Sequence, residues 1–383
     1  MRKKKYAPLA VLTAISLLLL TSSCMGNPRS ETIIIPAADE DQTNEGDNAQ
    51  SFQVQTIYRL PALAATDISL LGWTSNADLV GLDAESRASM TTGLRLQRLG
   101  KPYEQFKPLD SLIPGANWFG LSPNGRQIAY IAKSTTGTAL TLLSLTDGKA
   151  VQSAAPPNSE WQLQSRTLNW SGNSRFLSYL VSGEDRTEQR IVVCDSADGQ
   201  VKLYPLTGLQ DFGEIVKVVL SDDGSGALIE TGKTVAFAKR SGSGYAVQYD
   251  HPSGNGESEW VNDSQFAFLG FDGTLFQYDS RNGELSVLLE KVDSFRLSPD
   301  RKLIAYTLND QDTIFAGRLQ GNNVLYKGSV YQGVYPFQMT WSPDGGALLV
   351  DGSKRYARSA AQIQPSSEAK PAVDLLPFII QFR

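Results

Sequence analysis

The sequence has one histidine, two cysteines and no Gly-x-Ser-x-Gly elbow. A Ser-His-Asp site would have to use His251, in Tyr249-Asp250-His251-Pro252-Ser253-Gly254, which reads as a solvated polar turn. One histidine cannot supply a His-based metal centre. No phosphate-cradling Gly-rich loop occurs. Cys24 and Cys194 allow no disulfide framework if Cys24 is otherwise engaged. Cys194 ends the apolar run Ile191-Val192-Val193, so it reads as a small buried hydrophobe. Basic charge is also in deficit, with 35 Lys and Arg against 40 Asp and Glu. That balance argues against nucleic acid, whose phosphates select basic surfaces.

No apolar run is long enough to cross a bilayer, which needs about 20 residues. The run from Ala7 to Leu20 has 14 residues and follows Arg2, Lys3, Lys4 and Lys5. A short apolar core behind a basic cluster is a signal-peptide pattern. It ends in Leu20-Thr21-Ser22-Ser23-Cys24, which resembles the lipobox of bacterial lipoproteins. The resemblance implies a signal peptide over 1–23, with Cys24 carrying a covalent lipid as the new N-terminus. It also implies a place on the extracytoplasmic face of the cell membrane. Removal of four basic residues would leave 31 basic and 40 acidic groups, a net charge of −9.

From Cys24 to Ser51 the chain is polar, acidic and poor in aromatics, as a flexible tether would be. The acids from Asp39 onward do not make an EF-hand loop. Asn44 stands where Gly is needed, and Gln50 where the bidentate Glu is needed.

What fills residues 52–383 is a repeat. Large apolar anchors at Trp73, Leu121, Trp170, Leu220, Trp260, Leu297 and Trp341 each precede a polar corner and then an apolar run. Their spacings are 48, 49, 50, 40, 37 and 44 residues. The corners include Ser122-Pro123-Asn124-Gly125, Ser221-Asp222-Asp223-Gly224, Ser298-Pro299-Asp300 and Ser342-Pro343-Asp344-Gly345. Pro presets the first central position of a turn, and Asp and Gly suit the later ones. A second turn recurs at Asp147-Gly148, Asp198-Gly199 and Asn282-Gly283, with variants at Gly242-Ser243-Gly244 and Gly321-Asn322. Two turns per repeat divide it into four strands, which is one propeller blade.

These corners and their period resemble the PD40, or TolB-type, branch of WD40-like propellers. The architecture of signal, lipobox, tether and propeller is also similar to the YqgU-like lipoprotein propellers. The expected fold is therefore an all-β propeller of four-stranded blades. Seven anchors give seven blades, or six if the first is not a full repeat. The N-terminal strand Phe52–Tyr58 should pair with the C-terminal segment and close the ring.

No catalytic residue, metal site or cofactor beyond the Cys24 lipid is assigned. Asp222, Asp223, Asp272, Asp300 and Asp344 all fall in turns, whose chemistry accounts for them. Segments 84–117, 152–164 and 352–371 exceed normal turn length, and long loops on rigid scaffolds often carry function. Trp118 and Trp161 lie near them and are the candidate binding residues. The TolB resemblance implies a non-catalytic module that binds another envelope protein. Two alternatives stay open: a propeller binding cell-wall glycan or a small ligand, and a channel-centred calcium-dependent hydrolase.

Overall fold

The computed structural model describes residues 33–34, 52–61, 68–83, 94–113, 116–134, 137–156, 158, 160–164, 168–184, 188–209, 215–353 and 377–383. Cys24 and the signal segment lie outside them, as does the tether except for Ile33–Ile34. Every regular element among the described residues is a strand.

Antiparallel pairing gathers these strands into seven groups of four. Groups I and II span 68–113 and 116–154. Group III spans 162–207, and its first strand is split into Gln162–Leu163 and Asn169–Trp170. Groups IV, V and VI span 215–252, 253–289 and 292–332. Group VII combines Tyr335–Trp341, Ala347–Ser353 and Phe378–Phe382 with the N-terminal strand Val54–Arg59. The first and last parts of the chain thus share one sheet, which removes a free edge. One long strand, Gly244–Asn262, is the fourth strand of group IV and then the first of group V. That strand and a parallel bridge at Leu206↔Tyr245 link groups III, IV and V.

The core is divided in the same way. Each pair of consecutive groups encloses one apolar cluster. Ile128 and Tyr130 face Val80, Leu82 and Leu96 of group I, while Ala129 and Ile131 face Trp170, Leu177 and Tyr179 of group III. Alternate residues of a second strand therefore meet different neighbours, which explains why these strands read as unbroken apolar runs. A further cluster joins Ala347, Leu349 and Ile379 of group VII to Trp73, Leu79 and Leu99 of group I. The series of groups therefore closes on itself.

The anchor tryptophans hold this closure. Trp73, Trp170, Trp260 and Trp341 are all buried. Each indole N–H donates to a carbonyl in the first strand of the preceding group: Thr340 O at 3.0 Å, Gly120 O at 2.9 Å, Val219 O at 3.1 Å and Arg296 O at 3.1 Å. In every case the acceptor is the residue just before the preceding anchor.

The corner after each anchor has one recurring geometry. In Ser342-Pro343-Asp344-Gly345, the Ser342 hydroxyl donates to Asp344 Oδ1 at 2.6 Å and accepts from Ala347 N at 2.9 Å. Asp344 Oδ1 also accepts from Gly346 N. The same bonds recur from Ser122, Ser171, Ser221 and Ser298, all buried. The fourth corner residue takes positive φ, at Gly125, Ser174, Gly224, Arg301 and Gly345. Gly125 is required for space as well, because a Cβ there would lie 2.4 Å from Trp73 O.

In each group the first strand runs toward its corner, and the second turn lies at that same end. Corner-end connections are all short, the longest being the six residues 101–106. The strands that flank the wider gaps in sequence, Asp78–Asp83 with Leu94–Gly100 and Ala347–Ser353 with Phe378–Phe382, are joined at the opposite end. Segment 84–117, expected to be one long loop, instead holds Leu94–Gly100 and Lys107–Ile113, two strands of group I. Their backbones pair in the ladder, although polar residues and Pro108 weaken their pattern.

Trp341→Phe should keep an aromatic ring but orphan the Arg296 carbonyl and leave a small cavity. A loss of about 1–3 kcal/mol is expected, read as a lower urea midpoint with unchanged slope. Ser342→Ala should cost a similar amount by leaving the buried Ala347 amide unpaired, and Ser342→Thr should recover part of it if the γ-methyl is accommodated.

Candidate functional site

Among the described residues, the first strand of each group has one ladder edge with no strand beside it. Those edges surround the hub, and their polar groups need partners. Indoles supply some of them, as above. Carboxylates supply others where groups IV, V and VI meet.

Glu257 and Glu259 stand three residues and one residue before the anchor Trp260. Glu257 Oε2 accepts from Phe295 N at 3.1 Å, and Glu259 Oε2 from Leu297 N at 2.7 Å. Both acceptors therefore grip the inner edge of group VI. Arg296 lies between those two amides and meets the other oxygens, at 3.3 Å from Glu257 Oε1 and 3.7 Å from Glu259 Oε1. Its guanidinium also donates to Phe295 O at 2.7 Å.

Group IV grips group V in the same manner. Glu230 Oε1 accepts from Ser258 N at 2.8 Å, from the Ser258 hydroxyl at 2.5 Å and from Lys217 Nζ at 3.1 Å. Lys217 donates also to Ser258 O at 3.2 Å. Glu230 and Ser258 are buried. The Glu257, Glu259 and Arg296 side chains are more than two-thirds buried, with 20%, 24% and 32% of their surface exposed.

Burial raises the Glu259 carboxyl above its ordinary range, and this outweighs the opposing pull of Arg296. Burial also acts to lower Arg296, but the Glu257 and Glu259 charges win and its net shift is upward. The arrangement is a chain of charge-assisted bonds across three consecutive groups.

The corner end of the hub is tied across. Asn124 N donates to Ser174 Oγ, Asn173 N to Asp222 Oδ1, and Asp223 N to Asp263 Oδ1. These bonds link the corners of groups II, III, IV and V in turn. Arg301, from the corner of group VI, reaches past group V to Asp222 Oδ2 at 2.6 Å. Its guanidinium lies over Gly172 of group III, where a Cβ would come within 1.9 Å of Nη2. Corners distant in sequence therefore converge on one centre.

Asp222 serves the cross-tie, while Asp272, Asp300 and Asp344 accept within their own turns. His251 is not in a loop but in the long strand, paired with Val235. Its ring packs 5.0 Å from Phe268 and 5.2 Å from Phe276, and the strand continues because Pro252 has no ladder amide to lose at that edge. Trp161 is buried, with Arg190 stacked 4.8 Å over its ring, and borders an open groove of about 580 Å³ with Glu160, Gly183, Glu184 and Glu188. Trp118 pairs with Ile131 through its backbone, and its side chain lies outside the described residues. Cys194 is buried between groups II and III, and burial pushes its thiol up to about 12. Among the described residues no three His, Cys, Asp or Glu side chains are grouped as metal ligands.

The hub residues Lys217, Glu230, Glu257, Glu259, Arg296 and Arg301 escaped the sequence reading. The signal was present: aligned on the anchors, Lys217 and Glu257 share one register position, and Glu259 and Arg296 share another.

No protein-family model matches the chain, and no curated protein matches it either. Solved structures do. An oligogalacturonate lyase in complex with manganese aligns over 87% of this chain and 96% of its own, with a TM-score of 0.56 and 12% identity. U3-55K aligns over 85% and 98%, with a TM-score of 0.52 and 11% identity. At such identities the likeness concerns the fold alone. Together with the closed series of four-stranded groups, it shows that the chain has a β-propeller fold.

The raised Glu259 carboxyl sets a pH dependence. A carboxyl raised on folding favours the protonated folded state, so its contribution is full below about 4 and is lost as pH rises through the folded value. Glu259→Gln removes that loss while keeping an acceptor for Leu297 N. Its melting temperature relative to the parent should therefore rise between pH 4 and pH 7. A relative fall over that interval would mean that Arg296 needs the charge more than burial opposes it.

Proposed function

We propose that this chain is a lipid-anchored extracytoplasmic protein whose propeller is a non-catalytic binding or scaffold module of the cell envelope. On this reading the seven groups are its seven blades, and Cys24 carries the lipid. The observation that carries the non-catalytic reading is how the hub charges are used. Glu230, Glu257 and Glu259 each accept a backbone amide of the next blade and pair with Lys217 or Arg296. A general acid or base needs a proton-transfer position open to substrate. Here the carboxylates are committed to holding blades together.

Rigid blades with short corner-end turns and longer connections at the other end suit a scaffold that presents loops to a partner. The lipobox-like Leu20-Thr21-Ser22-Ser23-Cys24 supports the membrane location, and the acidic mature charge fits an extracytoplasmic surface.

Two measurements test this. Cys24→Ser should move the protein from the membrane fraction to the soluble fraction. Crosslinking in intact cells, read by mass spectrometry, should recover the same envelope protein repeatedly with the parent chain. If no reproducible partner appears and the purified protein turns over a small substrate, the scaffold reading fails.

A further inference from the structure

The fourth strand of group V, Glu284–Leu289, would leave an outer edge free. Part of it is covered by the chain's own N-terminal segment: Ile33 and Ile34 pair in parallel with Leu285 and Ser286. We infer that this pairing is a strap that turns the corner end of the propeller toward the membrane. The inference rests on the proposed lipid at Cys24.

The direction follows from the pairing. Glu284–Leu289 starts at the turn 280–283, at the corner end, and runs away from it. A parallel partner must run the same way, so the chain reaches Ile33 from the corner end. The second attachment has the same polarity. Val54 pairs with Phe382, whose amide donates to Gly346 O in the group VII corner. The N-terminal segment therefore approaches the rim from the corner end at both places, on groups V and VII.

Chain length makes the first attachment decisive. A chain spans at most roughly 3.3–3.6 Å per residue, so the nine steps from Cys24 to Ile33 reach about 30 Å. Strands of six or seven residues make the propeller about 20–25 Å deep. Reaching the opposite end would take nearly the whole leash, whereas the corner end is the side from which the chain enters the strap, so the lipid inserts there. Without the strap, the thirty steps to Val54 would reach about 100 Å, and either end could face the bilayer. Main-chain addition to a sheet edge needs little from side chains, so two residues suffice to set the direction. The occupant of the corner side is thus the bilayer bearing the anchor. The opposite end, with the longer connections and the exposed Phe271 and Phe337, is presented outward.

The test uses the acylated full chain in phosphatidylethanolamine–phosphatidylglycerol vesicles. A fluorophore is placed at Asn282→Cys, at the corner end of group V, or at Phe271→Cys, at its opposite end. Buried Cys194 does not compete for the label. Nitroxide headgroup lipid should quench the label at 282 at least twofold more than at 271. Ile33→Pro combined with Ile34→Pro, which leaves neither ladder amide to donate, should abolish the difference while the protein stays vesicle-bound, and Ile34→Val should keep it. Equal quenching in the parent chain, or a difference that survives the double proline variant, overturns the strap. Unmodified Cys24, read by intact mass, removes the anchoring reading beneath it and is told apart from both results.

Discussion

The structure depends on one constraint: small sheets arranged around a hub must find partners for the polar backbone of their innermost strands. Among the described residues no strand lies beyond that edge, and an unpaired buried amide or carbonyl costs about as much as a lost hydrogen bond. The chain meets the need with side chains from neighbouring blades. Indole N–H groups serve carbonyls in the preceding blade, and carboxylates serve amides in the following one. Groups II, IV, V, VI and VII are therefore completed in part by a neighbour, and the ring is the smallest unit in which all these bonds exist.

This explains why the hub is polar although the blade interfaces are apolar. Glu257 and Glu259 are placed by strand alternation on one side of a single first strand, so both can reach the adjoining edge. Arg296 between their targets neutralises them and limits the cost of bringing carboxylates together. Arg301, crossing to Asp222 over Gly172, does comparable work at the corner end.

Much of the architecture was legible in the sequence because it repeats. Anchors, Ser-x-Asp-Gly corners and Asp-Gly hairpins are local devices, each acting within a few residues. The four Trp anchors were readable as packing residues, but not as hydrogen-bond donors to a blade 41 to 50 residues away or, for Trp73, 267 residues away across the ring closure. Segment 84–117 was misread as a loop because Leu94–Gly100 and Lys107–Ile113 carry polar residues and a proline within a real ladder. His251 was misread as a turn residue because Pro252 and Gly254 usually interrupt strands, whereas here they lie where one long strand changes sheets.

By itself, the sequence determined the unit: four short strands, two tight turns and an apolar wedge, since turn chemistry and strand periodicity operate over a handful of residues. Tertiary structure alone decided which units touch, which charges meet at the hub and which end the N-terminal segment approaches. Those outcomes follow from closing a ring, where residues forty to nearly three hundred positions apart become hydrogen-bonded neighbours.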